Sequence, residues 1–328
     1  MKINYLFRST KNNEYSIENV FEQIISNLNK KILVEKIYVP QPSNSIINII
    51  NNIRSVKYKR GEIYHITGDV HYLALVLKKD KFILTIHDLV TLKNKKGIKR
   101  FILKFFWYTI PIKKSKFVVA ISESTKEEIL NEFPNLGSKL KVIPNPINSM
   151  YSFKSSIFNK DFPRILHIGT RENKNLERVI KAVEDLNCKL VIIGKLNEEQ
   201  KKLLTSTSLN YENYYNISDE ELKNQYYNCD IVMFPSLYEG FGLPIIEGQM
   251  VGRVVITSNY APMNIVAGSG ACLVNPRDYI QIREAIEKVC NNSEYREKLI
   301  ANGRENVKKF SGKYIAEQYE KLYNELRN

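Results

Sequence analysis

Short runs of β-branched and aromatic residues alternate with amphipathic stretches along the chain. The first run, KINYLF, reads as a strand. SIENVFEQIISNLNK follows, with Ile17, Val20, Phe21, Ile24, Ile25 and Leu28 at the spacing of one helical face. Strand-like runs recur at ILVEKIYV, EIYHI, FILTI, KFVVAI and KLKVI, mostly with helical stretches between them. Such alternation predicts a parallel sheet covered by helices. A polar stretch punctuated by prolines, Pro144–Asp161, predicts an interdomain linker. The same grammar then restarts. RILHIG, CKLVIIG, NYENYY, DIVMF and VVIT read as strands or strand-like runs. KNLERVIKAVEDL, EEQKKLL, residues 219–227, the stretch after Pro244 and most of 280–328 read as helices. The expected architecture is α/β: two Rossmann-like, doubly wound domains facing each other across a cleft. Ligands in such folds bind at the strand C-termini.

Composition narrows this picture. A chain of 328 residues, 43% hydrophobic and 11% aromatic, has material for two ordinary cores. No apolar run reaches the ~18 residues of a membrane span, and MKINYLFRST shows no secretory h-region. Four scattered cysteines and four unpaired histidines predict neither a disulfide framework nor a metal site. A reducing cytoplasm is the expected setting. The net charge of +14 is uneven. Residues 1–150 hold 25 basic and 12 acidic side chains, and residues 151–328 hold 24 and 23. The first half should therefore meet something acidic.

The strongest chemical signal is FPSLYEGFGLPIIEGQMVG, residues 234–252. A strand leads into Gly240-Phe241-Gly242, where the backbone can approach a ligand closely. Pro244 suits a helix start near Leu243, and free N–H groups there offer an anion site. Glu239 and Glu247 bracket the turn. Carboxylates so placed accept from sugar hydroxyls better than they hold phosphate. Upstream, in GTRENKN, Gly169 ends a strand and Asn173 is a candidate N-cap. Arg171 and Lys174 then lie beside a helix N-terminus at the mouth of the sheet. Two cations and a helix dipole fit a diphosphate leaving group.

EGFGLPIIE matches the E-x7-E motif of GT-B glycosyltransferases and resembles in particular the retaining, nucleotide-sugar-dependent family 4. ILHIGTRENKNLERVIKAV, VAISESTKEEI, KVIPNPIN, TIHDL and VVITSNYAPMNIVAG are similar to other blocks of that family. The resemblance covers most of residues 80–280. It implies an N-terminal acceptor domain (1–150), a C-terminal donor domain (151–311) and a final helix (312–328) returning to the first domain. It implies that Glu247 holds the donor ribose and Glu239 the transferred sugar. The backbone of Phe241, Gly242 and Leu243 would line that sugar, while Arg171 and Lys174 meet the diphosphate. The co-substrate would be a UDP- or GDP-linked sugar, with no metal and no other cofactor.

In the first half, His87 and Asp88 lie just past the strand FILTI. A histidine there matches the family residue that approaches the reaction centre, so His87 joins Glu239 as a catalytic candidate. Asp88 is alternatively a cap for the next segment. Asp69 and His71, after another strand, are equally open to a structural reading and to acceptor contact. Residues 93–116 hold nine basic residues and no acid, interleaved with Phe101, Ile102, Leu103, Phe105, Phe106, Trp107 and Tyr108. That composition suits an anionic membrane face or a lipid-diphosphate acceptor. A packed helix with solvated lysines is the plainer alternative.

Three features depart from the family pattern. The loop after the first strand, RSTKNNEYSIE, has no glycine, leaving Arg8 or Ser16 to substitute. The GTRENKN turn is one residue shorter than the commoner spacing. Asn264 and Ile265 stand where a glutamate is usual. The expected function is sugar transfer from a nucleotide-sugar to a hydroxyl of a glycan or lipid-linked glycan. The setting would be cytoplasmic and peripheral to the inner membrane face. The rivals are an inverting transferase or a sugar-nucleotide epimerase of the same fold, and a basic nucleic-acid-binding protein. The last leaves the paired glutamates without a purpose, so no nucleic-acid partner is expected.

Overall fold

Strands buried on both faces account for the continuous apolar runs in the sequence. FILTI, FVVA, IVMF and VVITS are buried at every position. The structure is a computed structural model that describes residues 1–12 and 16–327. By contacts the chain forms two units, residues 1–146 with 311–328, and residues 147–310.

In the first unit the strands are β1 (Lys2–Phe7), β2 (Leu33–Tyr38), β3 (Ile63–Ile66), β4 (Phe82–Ile86), β5 (Phe117–Ala120) and β6 (Leu140–Val142). They form one sheet in the order β2-β1-β3-β4-β5-β6, and every pairing is parallel. The chain reverses its direction of travel across the sheet between β1 and β3. Edge strand β2 has no buried residue and carries Glu35 and Lys36, which discourages edge-to-edge pairing. Residues 13–15 of the glycine-free loop after β1 lie outside the described residues.

The second unit repeats the plan with β7 (Arg164–Ile168), β8 (Lys189–Ile193), β9 (Asn210–Tyr214), β10 (Ile231–Phe234), β11 (Val254–Ser258) and β12 (Cys272–Val274). Their order is β12-β11-β10-β7-β8-β9, again all parallel. The reversal falls between β7 and β10. Two six-stranded parallel sheets, each with its helices, make this a two-domain α/β protein.

The terminal helix, Gly312–Arg327, packs in the first unit against the helix Ser16–Ser26 and β3. A buried polar chain fixes it there. The Tyr323 hydroxyl lies 2.7 Å from that of Tyr5 and 2.6 Å from His65 Nδ1, and His65 Nε2 lies 2.8 Å from Thr85 Oγ1. Burial pushes the His65 pKa down to about 3, so the ring is neutral.

Two segments differ from the sequence expectation. Ile46–Ser55 is a helix where no element is predicted. Its paired isoleucines obscure the helical period. Its start is set by Ser45, whose Oγ accepts from Asn48 N at 3.2 Å. Residues 97–114 form one unbroken helical run, but not a regular α-helix. They run as an α-helical turn (Gly97–Leu103), a π-helical turn (Lys104–Thr109) and a further α-turn (Ile110–Lys114) containing Pro111. Among the described residues, no helix is long and apolar enough to cross a membrane.

Candidate functional site

The crossover between β7 and β10 gathers the second unit's candidate residues. After β7 the chain turns at Gly169, whose φ of +94° suits glycine. A Cβ at that position would lie 2.8 Å from Lys174 Cγ, so the missing side chain makes room for Lys174 to fold back over the turn. The 3-10 turn Glu172–Lys174 leads through Asn175, in left-handed conformation (φ 66°), to the helix Leu176–Val183.

Lys174 Nζ lies 2.7 Å from Glu239 Oε1 and 4.7 Å from the centre of the Phe234 ring. Asn173 Nδ2 donates to Tyr238 O (2.9 Å) and Glu239 Oε1 (3.3 Å), and Leu237 N donates to Asn173 O. The loop after β7 is thus stitched to the loop after β10. Asn173 is therefore not the expected N-cap. The cap position belongs to Asn175, whose Nδ2 instead donates to Pro235 O (3.0 Å) and Pro276 O (2.6 Å). Arg178 Nη1 donates to Asn175 Oδ1 at 2.8 Å. Sequence reasoning missed Asn175. Its signal was an asparagine, tolerant of positive φ, immediately before an amphipathic helix. Arg171 is exposed and, among the described residues, in no ion pair.

The loop after β10 ends at Gly242 (φ 103°), and the helix Leu243–Met250 begins there with Pro244 in its first turn. Phe241 is buried, edge-on to Phe310 at 5.7 Å. Glu247 sits in the second turn and accepts a short hydrogen bond from the Tyr226 hydroxyl. Burial pushes its carboxyl up to about 7. The Tyr226 bond opposes that rise and the nearby Asp219 charge adds to it. Tyr226 is itself fully buried, with Tyr151 edge-on at 5.2 Å. Tyr226 was not foreseen, because it comes from the separate helix Asp219–Asn228. Four buried polar atoms of this unit, Arg164 Nε, His167 Nε2, Ser236 Oγ and Arg253 Nε, have no hydrogen-bond partner among the described residues.

In the first unit, Arg8 follows β1 and closes a three-way clasp. Its Nε and Nη2 reach the two carboxylate oxygens of Glu18 at 3.1 and 3.2 Å, and its Nη1 reaches Asp69 Oδ2 at 2.8 Å. Glu18 is buried on the helix Ser16–Ser26, whose first residue, Ser16, is exposed. Of the two proposed stand-ins for a glycine loop, Arg8 makes the fixed contact.

His87 follows β4, and its Nε2 lies 2.8 Å from Thr67 O. A carbonyl only accepts, so Nε2 carries the proton and Nδ1 is left as an acceptor. Burial lowers the pKa of the ring, with the Thr67 carbonyl working against it. The ring lies over Gly68, where a Cβ would come within 2.8 Å of His87 Cδ2. Asp88 caps the next segment, its Oδ1 accepting from Val90 N at 3.0 Å, and burial raises its pKa. His71 is a core residue. It is buried, with Nδ1 3.0 Å from Trp107 O and its ring edge-on to Tyr108, and burial holds it down at about 4. That placement favours its structural reading. Asp69 is half tied: its carboxylate faces Arg8 and its carbonyl accepts from Trp107 Nε1 at 3.0 Å. Among the described residues, no group of three or more His, Cys, Asp or Glu side chains is placed to hold a metal.

Two family models divide the chain between them. Glycosyl transferases group 1 matches residues 151–306, and Glycosyltransferase Family 4 matches residues 32–150. The chain is 28% identical over 277 residues to the capsular polysaccharide biosynthesis glycosyltransferase CapM of Staphylococcus aureus. That alignment covers 76% of this chain and 72% of CapM. Among solved structures it is similar to sucrose-phosphate synthase of Thermosynechococcus elongatus, with a TM-score of 0.79 and 18% identity over 99% of both chains. It is also similar to Anabaena HepE solved with UDP and glucose, with a TM-score of 0.76 and 14% identity over 99% of this chain and 100% of that one. These two likenesses are of fold.

Proposed function

We propose that this chain, which belongs to the family 4-like glycosyltransferases of the GT-B fold, is a retaining enzyme that moves a sugar from an NDP-sugar to a hydroxyl of a glycan or lipid-linked glycan. Its place would be in cell-surface polysaccharide or glycoconjugate synthesis, as the role of CapM in capsular polysaccharide biosynthesis supports. The single observation that carries this reading is the Lys174–Glu239 contact at the β7/β10 crossover, with Glu247 in the second turn of the helix that follows. An ammonium and a carboxylate brought together at a topological switch point fit the two ends of a sugar phosphate.

Each residue then has a task. Lys174 exchanges Glu239 for the donor diphosphate, and the exposed Arg171 adds a second cation. The N–H groups at the start of the helix Leu243–Met250 complete the charge balance without a metal. Glu239, once released, accepts from hydroxyls of the transferred sugar. The backbone of Phe241, Gly242 and Leu243 lines that sugar. Glu247, when ionised, accepts from the ribose hydroxyls. In the transfer, the bond from the anomeric carbon to the phosphate oxygen breaks and the nucleoside diphosphate leaves with the electron pair. The acceptor oxygen bonds to the same face of that carbon, and its proton passes to the departing phosphate oxygen. The cationic cradle stabilises the charge that develops there.

His87 favours a second reading. A neutral imidazole with its Nε2 proton held by Thr67 O presents Nδ1 as a base, which an inverting transfer requires. NMR of the product anomer separates the two. A retained anomeric configuration supports the first reading, and an inverted one replaces it with the second. A calorimetric screen of UDP, GDP and ADP tests the donor class. If none binds, the nucleotide-sugar reading fails.

The free thiols Cys188, Cys229, Cys272 and Cys290 suit a reducing, cytoplasmic setting.

A further inference from the structure

Two helical segments of the first unit, distant in sequence, leave apolar faces uncovered. On Ile46–Ser55, Ile49 and Ile53 pack inward on the core while Ile46 and Ile47 are 76% and 72% exposed, with Ile50 beside them. On residues 97–109, Ile98 and Phe101 are 76% and 69% exposed, and Ile102, Phe105 and Phe106 are also open. These rings pack on one another rather than on the core. Phe101 stacks on Phe105 at 6.4 Å, and Phe106 meets Phe105 edge-on at 5.2 Å.

A single buried residue couples the two segments. The Tyr72 hydroxyl accepts from Asn52 Nδ2 on the first segment and bonds Ser43 Oγ, both at 2.8 Å. Its ring meets Trp107, on the second segment, edge-on at 4.7 Å. The turn His71–Leu75 that carries Tyr72 packs against both segments. The exposed isoleucines and phenylalanines are therefore held in a fixed relation.

Charge marks the same ground. Residues 36–61 hold five Lys or Arg and no acid, and residues 89–122 hold nine and no acid. Some of these cations are already engaged: Arg100 and Lys104 with Glu132, and Lys93 with Glu128. Arg54, Lys57, Lys59, Arg60, Lys95, Lys96 and Lys99 are exposed and, among the described residues, in no ion pair.

We propose that the two segments together form a docking surface for an anionic phospholipid bilayer. The isoleucines and phenylalanines enter the interface, and the unpaired cations meet the headgroups. Exposed aliphatic side chains favour this occupant over nucleic acid, which offers them no stacking partner. The surface extends beyond the basic run at 93–116 to a helix that carries isoleucines and lies in its own acid-free stretch. Each unpaired cation near such a surface strengthens binding roughly fivefold, and inserted apolar side chains supply a part that salt does not release.

The test is flotation of the full chain, without nucleotide, on vesicles of pure phosphatidylcholine and of phosphatidylcholine mixed with phosphatidylglycerol. The expected result is binding to the mixed vesicles only, partly reversed by salt. Lys95→Gln/Lys96→Gln/Lys99→Gln should weaken it roughly a hundredfold and flatten the salt dependence. Phe101→Ser/Phe105→Ser and, separately, Ile46→Ser/Ile47→Ser should each weaken it roughly tenfold, with thermal melting unchanged because all four side chains are exposed. No binding, or equal binding to both vesicle types, overturns the proposal. So does wild-type binding by the Ile46/Ile47 variant. Loss of oligonucleotide binding rather than vesicle binding in the lysine variant would assign the surface to nucleic acid instead.

Discussion

The two units use the same topological place in opposite ways. In each, the chain reverses across a parallel sheet, between β1 and β3 or between β7 and β10. At the second crossover a glycine turn lets Lys174 reach a single oxygen of Glu239. That contact is one-point and stands on two loops, and in the proposed function a phosphate would replace the carboxylate. At the first crossover Arg8 grips both oxygens of a buried Glu18 and adds Asp69. The Glu18 end of this clasp is buried and the Asp69 end is exposed. The first arrangement is exchangeable and suits a ligand, whereas the second is a clamp that holds a loop in shape without glycine.

Breaking the clamp should have the largest effect. Arg8→Met leaves Glu18 charged and buried without its partner, which should cost about 3–5 kcal/mol of stability. Chemical denaturation measures it. A cost below about 1 kcal/mol would class the clasp with ordinary surface pairs. Lys174→Ala should barely move stability and should weaken nucleoside-diphosphate binding by about 1.5–3 kcal/mol in calorimetry. If stability falls and binding holds, the comparison is reversed.

Glu247 sharpens it through pH. Its carboxyl titrates at about 7 in the folded chain against an ordinary value of 4.5. The raised pKa stabilises the fold fully below the ordinary value, and that contribution is lost as pH rises through about 7. Glu247→Gln should flatten the pH dependence of melting across this window. It should also gain about 1–3 kcal/mol on the wild type on the alkaline side. Nucleotide affinity of the wild type should rise over the same window as the carboxylate ionises, and pH-independent affinity would remove Glu247 from the ribose. The smallest effect is expected from Gly68→Ala. A methyl group there meets the His87 ring at a φ of +151°, for about 1–2 kcal/mol and a loss of turnover greater than the loss of nucleotide affinity.

What was legible in the sequence was local. The strands announced themselves as apolar runs, and Glu239, the glycines, Pro244 and Glu247 lie within one short stretch. Gly169 and Lys174 are five positions apart and meet in one turn. What was hidden joins distant positions. The Arg8 clasp spans residues 8, 18 and 69. Tyr226 reaches Glu247 from another helix, and Asn175 bonds two proline carbonyls contributed by separate loops. His65 offered no periodic signal, since its partners come from β1, β4 and the terminal helix. The helix Ile46–Ser55 escaped for a different reason. Its outward isoleucines break the polar-out rule on which the period depends.

The terminal helix carries a consequence for the order of events at the ribosome. Residues 147–310 are contiguous, so the second unit is synthesised whole and can fold as it emerges. The first unit begins earlier and finishes later. Until residues 312–327 have been made, Tyr5 and His65 wait for the hydroxyl of Tyr323, and the face of the helix Ser16–Ser26 that receives them stays bare. The half made first is thus the half completed last. A released chain truncated after residue 310 should present a protease-resistant second unit joined to a protease-sensitive first one.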